Sequence, residues 1–293
     1  MVSGGYFHPD SILRRVHRER VVGLLYGQRA LAIGAIDARN FVGTRIHTRY
    51  PEKPFHRLAA TGKMFESVFF GDRAEADRVL AAVDRMHSRV RGELPEAAGR
   101  HPAGTPYSAH DPELMLWTIA VSADSAHRFY RLFVGRLSRR ESDSFWRDYV
   151  RFGELFGMPA TAAPRSWGEF REYFDAKVNG PDVHLTDEAR HVGAAVMFQI
   201  PTARWQWPAM RIHNVVIRGS LPRRVRELYG LGWTAAHASA YRAAVTAHRA
   251  SRPLTPGSVL RGRNGAHFDG VARAERRIVR SGRPAPGSLA PLG

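Results

Sequence analysis

Apolar residues recur every three to four positions along almost the whole of this chain, and runs that alternate at every second residue are scarce. A chain written in this way buries stripes of helices against one another and has little from which to build a sheet. The expected fold is all-α: one globular multi-helix domain over 1–252. A Pro-, Gly- and Arg-rich extension follows over 253–293, expected to be disordered beyond Gly282. No internal repeat and no break in composition divides the chain further.

Helix starts are legible from their caps. A first helix is predicted from Asp10 or Ser11 to about Ile36, with possible breaks at Gly23 or Gly27, and 37–54 reads as a loop. Over 54–70, Phe55, Leu58, Gly62, Phe65 and Phe69 share one face. Asp72 with Glu75 opens a third helix to about Arg91 as a capping box. Residues 93–110 read as a loop, and Asp111-Pro112 opens a fourth helix, because proline at the first helical position forfeits no hydrogen bond. Ser138 with Glu141 and Ser166 with Glu169 repeat the capping-box pattern. Later helices are predicted over 186–199, 221–229 and 233–250.

The chain has no cysteine. That removes disulfides, iron–sulfur clusters, thiolate-ligated haem and cysteine-based zinc sites, so any metal must be held by His, Asp, Glu or Tyr. The net charge of +17 invites a nucleic-acid reading. Against it, Lys53, Lys63 and Lys177 are the only lysines among 44 basic residues, and the arginines are scattered with no nucleic-acid-binding motif among them. No nucleic-acid partner is expected. No export signal is apparent in the first residues, and the longest apolar stretch, 21–36, is interrupted by Gln28 and Arg29. These features give the expectation of a cytoplasmic protein without a transmembrane segment.

The metal question therefore falls to the fourteen histidines. His87 shares a helical stripe with Ala76, Leu80, Val83 and Val90, and a neutral imidazole on an apolar wall can serve an iron as ligand. It can equally be a core histidine with a hydrogen-bond partner. His47 lies in the loop before the second helix. His8, His17, His101, His110, His248 and His267 read as ordinary surface or loop positions. A competing constellation is Glu188-Ala-Arg-His191, whose Glu-x-x-His spacing is that of di-iron carboxylate bundles, with Glu66 and Glu154 as conceivable further ligands. Asp84 with His87 and Asp124 with His127 imitate that spacing.

An ordered series of motifs runs through the first half of the chain. It includes Leu24-Leu25-Tyr26-Gly27-Gln28-Arg29-Ala30-Leu31, Pro54-Phe55-His56-Arg57-Leu58-Ala59-Ala60-Thr61 and Met86-His87-Ser88-Arg89-Val90-Arg91. It continues with Tyr107-Ser108-Ala109-His110-Asp111-Pro112 and Phe152-Gly153-Glu154-Leu155-Phe156-Gly157-Met158-Pro159. The series resembles the family of bacterial latex-clearing proteins (rubber oxygenases) and fungal MpaB-type oxygenases, in its actinobacterial-type branch.

The resemblance implies a helical domain packed around one non-covalent haem b, acting on a small-molecule substrate with O2. It places His87 as proximal iron ligand, in a Met-His-Ser-x-Val-Arg setting. It places Arg57 and Thr61 on the distal side, in a run whose lysine position is here Ala60. Alanine cannot reach an iron, so the distal position is either open or closed by another residue such as His47. The family's catalytic glutamate has no counterpart that aligns. On this reading His87, Arg57 and Thr61 hold the cofactor, and Arg57, Thr61 and His47 shape the reacting side. Phe65, Phe69, Trp117 and Phe129 wall an apolar cavity or simply pack the core. The substrate is expected to be a small lipophilic or aromatic metabolite rather than rubber. A non-catalytic haem carrier or sensor and a di-iron helical oxidase stand as alternatives.

Overall fold

The computed structural model describes residues 4–289. Its helices in chain order are α1 (Ile12–His17), α2 (Arg20–Gly34), α3 (Ala38–Ile46), α4 (Pro54–Phe70), α5 (Arg73–His87), α6 (Pro112–Phe133) and α7 (Arg139–Leu155). They continue with α8 (Trp167–Asn179), α9 (Asp187–Phe198), α10 (Trp207–Ser220), α11 (Arg223–Leu228), α12 (Ala235–Ser251), α13 (Gly257–Leu260) and α14 (Gly265–Arg280). The sheet content is one antiparallel pair, β1 (Arg91–Glu93) with β2 (Pro106–Ser108), in the segment between α5 and α6. The protein is a single all-α domain.

Helix α2 is the axis of the fold. Ten of its residues are buried, on all sides of the helix, and α6, α9, α4 and α10 pack around it. The first predicted helix is in fact two, α1 and α2, and neither glycine makes the break. Glu19 makes it: its backbone is extended, and its buried carboxylate takes Arg252 at 3.0 Å and Arg261 at 3.2 Å from the far end of the chain. Gly23 serves packing instead, since a Cβ there would lie 2.1 Å from Asn264 Nδ2. The predicted loop at 37–54 contains α3, capped by Asp37, whose carboxylate accepts from the Arg39 N–H at 3.1 Å. Helix α10 was not predicted.

The extension read from 253 onward carries α13 and α14, and α14 lies along α4. Helix α4 begins without a side-chain cap of its own. Glu275 of α14 supplies one, its carboxylate accepting from the N–H groups of Phe55 at 2.9 Å and His56 at 2.6 Å. Past Gly282, where composition points to disorder, Ala285 is buried and the Leu289 N–H donates to Pro51 O. Residues 290–293, included in that expectation, lie outside the described residues.

One charged cluster ties the core together. Arg29 of α2 donates to Asp124 at 2.6 Å and Ser125 at 2.8 Å on α6, and to Ser220 O at 3.0 Å at the end of α10. Arg171 of α8 takes the other Asp124 oxygen. Burial pushes the Asp124 carboxyl up, but Arg29 and Arg171 outweigh it and hold the group below its ordinary value.

His17, read from sequence as a surface residue, is core. Its Nε2 lies 2.7 Å from the Tyr149 hydroxyl and it packs against Tyr26 and Phe69. Helix α1 is only six residues long, and its burial is decided by α7, far downstream. Burial lowers the His17 pKa to about 3, and that of His127, against Trp167, to about 4. The unfolded chain protonates both near pH 6.5 while the fold refuses the proton, so stability is lost as pH falls below about 6.5. At pH 4 the loss from His17 alone is expected to be about 3 kcal/mol. Urea midpoints measured from pH 7 to 4 should fall steeply in the wild type and less steeply in His17→Gln.

Candidate functional site

A cavity of about 1990 Å³ opens between α2, α4 and α5 on one side and α6, α9, α10 and α14 on the others. It exceeds the roughly 300–1,000 Å³ of an ordinary small-molecule site, leaving room for a sizeable cofactor beside a second ligand. Much of its wall is apolar: Leu24, Leu31, Leu58, Met64, Phe65 and Met86 all face it. Leu31 and Met86 are 46% and 55% exposed, large apolar side chains left open on the cavity wall. Phe65 lines the cavity, whereas Trp117 is core, its indole N–H donating to Gly34 O at 3.1 Å.

His87, Arg57, Thr61 and His47 border this cavity, whereas Phe69 and Phe129 are core with Trp117. His87 closes α5, which ends there rather than at Arg91. Its stripe holds, with Ala76 and Val83 buried, but His87 itself is half-buried and turned to the cavity. Neither ring nitrogen has a hydrogen-bond partner among the described residues; the nearest ring is His110, centroids 6.1 Å apart. Burial lowers its pKa and His110 adds to this, with Asp84 opposing, so the imidazole is neutral at pH 7. A neutral ring with an uncommitted nitrogen can act as a metal ligand.

Arg57, Ala60 and Thr61 stand together on the wall formed by α4. The Arg57 guanidinium is half-buried, and burial lowers its pKa. It makes no ion pair or hydrogen bond among the described residues. A partly desolvated cation without a counter-charge is costly, so this wall favours an anionic group. His47 caps the C-terminus of α3, and its Nε2 lies 3.3 Å from the Tyr107 hydroxyl.

Sequence reasoning missed a second polar element. Gln28 of α2 and His213 of α10 both line the cavity and meet at 2.6 Å, Nε2 to Oε1. The signal was present: Pro208 in a first turn, then Met210, His213, Ile217 and Ser220 at helical spacing.

No group of three His, Asp or Glu side chains that could hold a metal ion occurs among the described residues. The suggested di-iron ligands are scattered: Glu188 pairs with Arg45, Glu66 accepts from the Asn264 N–H, and Glu154 pairs with Arg151. A cofactor that brings its own equatorial donors needs only one protein ligand, and one free imidazole in an apolar cavity that an unpaired arginine also lines fits it. These residues therefore fit haem b.

No single helix among the described residues is long and apolar enough to cross a membrane. The α2–α3 pair passes by length and composition but is bent by 106°, and α2 is the buried axis of the fold.

Comparison with known proteins gives one family. The model described as ER-bound oxygenase mpaB/B'/Rubber oxygenase, catalytic domain, matches residues 14–250. No curated protein and no solved structure matches the chain.

Proposed function

The chain belongs to the mpaB/rubber oxygenase catalytic-domain family, and on that premise we propose that it is a haem-b-dependent oxygenase acting on a small lipophilic or aromatic metabolite. The observation that carries the reading is the convergence of a free neutral imidazole, His87, and an unpaired guanidinium, Arg57, on one large apolar cavity.

His87 would ligate the iron, and Arg57 would bind a propionate or a polar group near the reacting side. Bound haem would supply activation of O2, chemistry that no side chain here provides. The chain's own residues do the rest. The apolar wall of α2 and α4 takes up a lipophilic substrate and keeps water away. Thr61, one turn beyond Arg57, offers a hydroxyl on the same face. Ala60 leaves space where a lysine would project. His47, held by Tyr107, borders the same chamber and can orient a polar group of the substrate.

The test is a hemin titration of the purified protein followed in the visible spectrum. Stoichiometric growth of a Soret band, with substrate-dependent O2 consumption in the loaded protein, is the expected result. A protein that stays colourless at saturating hemin overturns the cofactor assignment. A charged hydrogen bond contributes about 1.5–3 kcal/mol, so Arg57→Gln should weaken hemin binding by roughly 10- to 100-fold without abolishing the band. Unchanged affinity in that variant would remove Arg57 from the cofactor site.

A further inference from the structure

Helix α10 is anchored at one end. Its buried residues are Val216, Ile217 and Ser220, all in the C-terminal half, and no residue of its first turns is buried. Together with the short 3-10 turn before it (Arg204–Gln206), those first turns present Trp205, 80% exposed, with Trp207 and Ile212, each 57% exposed. The other face of the same segment, through Ala203, Gln206, Met210 and His213, is a wall of the cavity. Arg204 and Arg211 are exposed beside the aromatic residues, and their side chains have no partner among the described residues.

Two solvent-exposed indoles, an isoleucine and two free guanidiniums on one short segment form a distinctive combination. An indole has an apolar body and one polar N–H, which suits the headgroup layer of a bilayer better than bulk water. Arginines beside it add attraction to anionic lipid, and a chain of net charge +17 strengthens it at longer range. The same charge opposes self-association through this face, because two copies would bring +17 against +17.

We propose that the 204–212 segment is a membrane-surface contact that docks the protein on an anionic lipid bilayer. The outer face of α10 lies in the headgroup layer and its inner face lines the cavity. The segment does not span the bilayer; it lies in the interface, as a short amphipathic helix does. The placement puts the cavity wall next to a reservoir of lipophilic molecules. The docking itself does not depend on the haem reading.

The test uses the full chain with vesicles of phosphatidylcholine alone and of phosphatidylcholine containing about 30 mol% phosphatidylglycerol, a fraction that gives a strongly negative surface. Co-sedimentation with the anionic vesicles and a blue shift of tryptophan emission are expected. Arg204→Glu/Arg211→Glu should reduce partitioning at least about tenfold, as two basic contacts of about 1 kcal/mol each require. Trp205→Ser/Trp207→Ser/Ile212→Ser should do so on both vesicle types. These side chains are exposed, so thermal stability and hemin titration should match the wild type, which separates this result from any failure of the haem assignment. Wild-type protein that stays in the supernatant overturns the proposal, as does a triple variant that partitions normally. A concentration-dependent oligomer abolished by the triple substitution would assign the face to a second copy instead.

Discussion

His87→Ala is expected to remove the Soret band at hemin concentrations that saturate the wild type. The loss of affinity should exceed the 10- to 100-fold typical of residues that merely support a metal ligand. The choice among the cavity's histidines is physical. His47 and His213 have their Nε2 engaged, with Tyr107 at 3.3 Å and Gln28 at 2.6 Å, and His267 is exposed on α14. His87 alone is half-buried, neutral and without a hydrogen bond. As the last residue of α5 it is also cheap to replace, so the apoprotein should unfold within about 1 kcal/mol of the wild type. Free imidazole added to the variant should restore the band by filling the space left by the side chain. A variant that keeps its band, alongside a His213→Ala protein that loses it, would move the ligand to α10.

Asp124→Ala should cause the largest loss of stability, about 3–5 kcal/mol, out of the 5–15 kcal/mol that a domain commonly has. The reason lies less in the lost attraction than in what remains. Arg29 is 3% exposed and would keep its charge with no carboxylate to meet it. Asp124→Asn preserves hydrogen bonding and should fall between the two, whereas replacing Arg29, Asp124 and Arg171 together by apolar side chains could cost little. Urea denaturation of the four proteins gives the order directly. Equal midpoints for Asp124→Ala and the wild type would show that the cluster contributes nothing. Arg29 is followed on α2 by Ala30 and Leu31 and preceded by Gln28, all of which face the cavity, so loosening this cluster should also weaken hemin binding.

What the sequence reveals is local. The stripe on α4 and the caps of α5, α6, α7 and α8 can be read because the partners lie within four residues of each other. What it hides is long-range. Glu19 breaks the first helix only because Arg252 and Arg261 arrive to meet it, and His17 is buried only because α7 packs on α1. The motif series singles out His87, Arg57 and Thr61, and the loop before α4 offers His47; all four line the cavity, while the Gln28–His213 contact joins residues 185 positions apart, which no local pattern records. Helix α10 has a legible stripe in Met210, His213, Ile217 and Ser220, but only its C-terminal half is buried, so its start carries exposed tryptophans rather than an apolar face.

The carboxylate of Glu275 reaches the start of α4 across 220 residues of chain. That contact can form only after the last helix has been made. While the ribosome is still making α5 through α12, the wall that α14 will provide does not exist, and the first turn of α4 stands uncapped. A hydrophobic chamber open on that side would lose a cofactor as readily as it gained one. If the proposed cofactor reading holds, stable loading would wait for the last helix, so a protein truncated at residue 250, where the family match ends, should bind hemin more weakly in titration than the full chain.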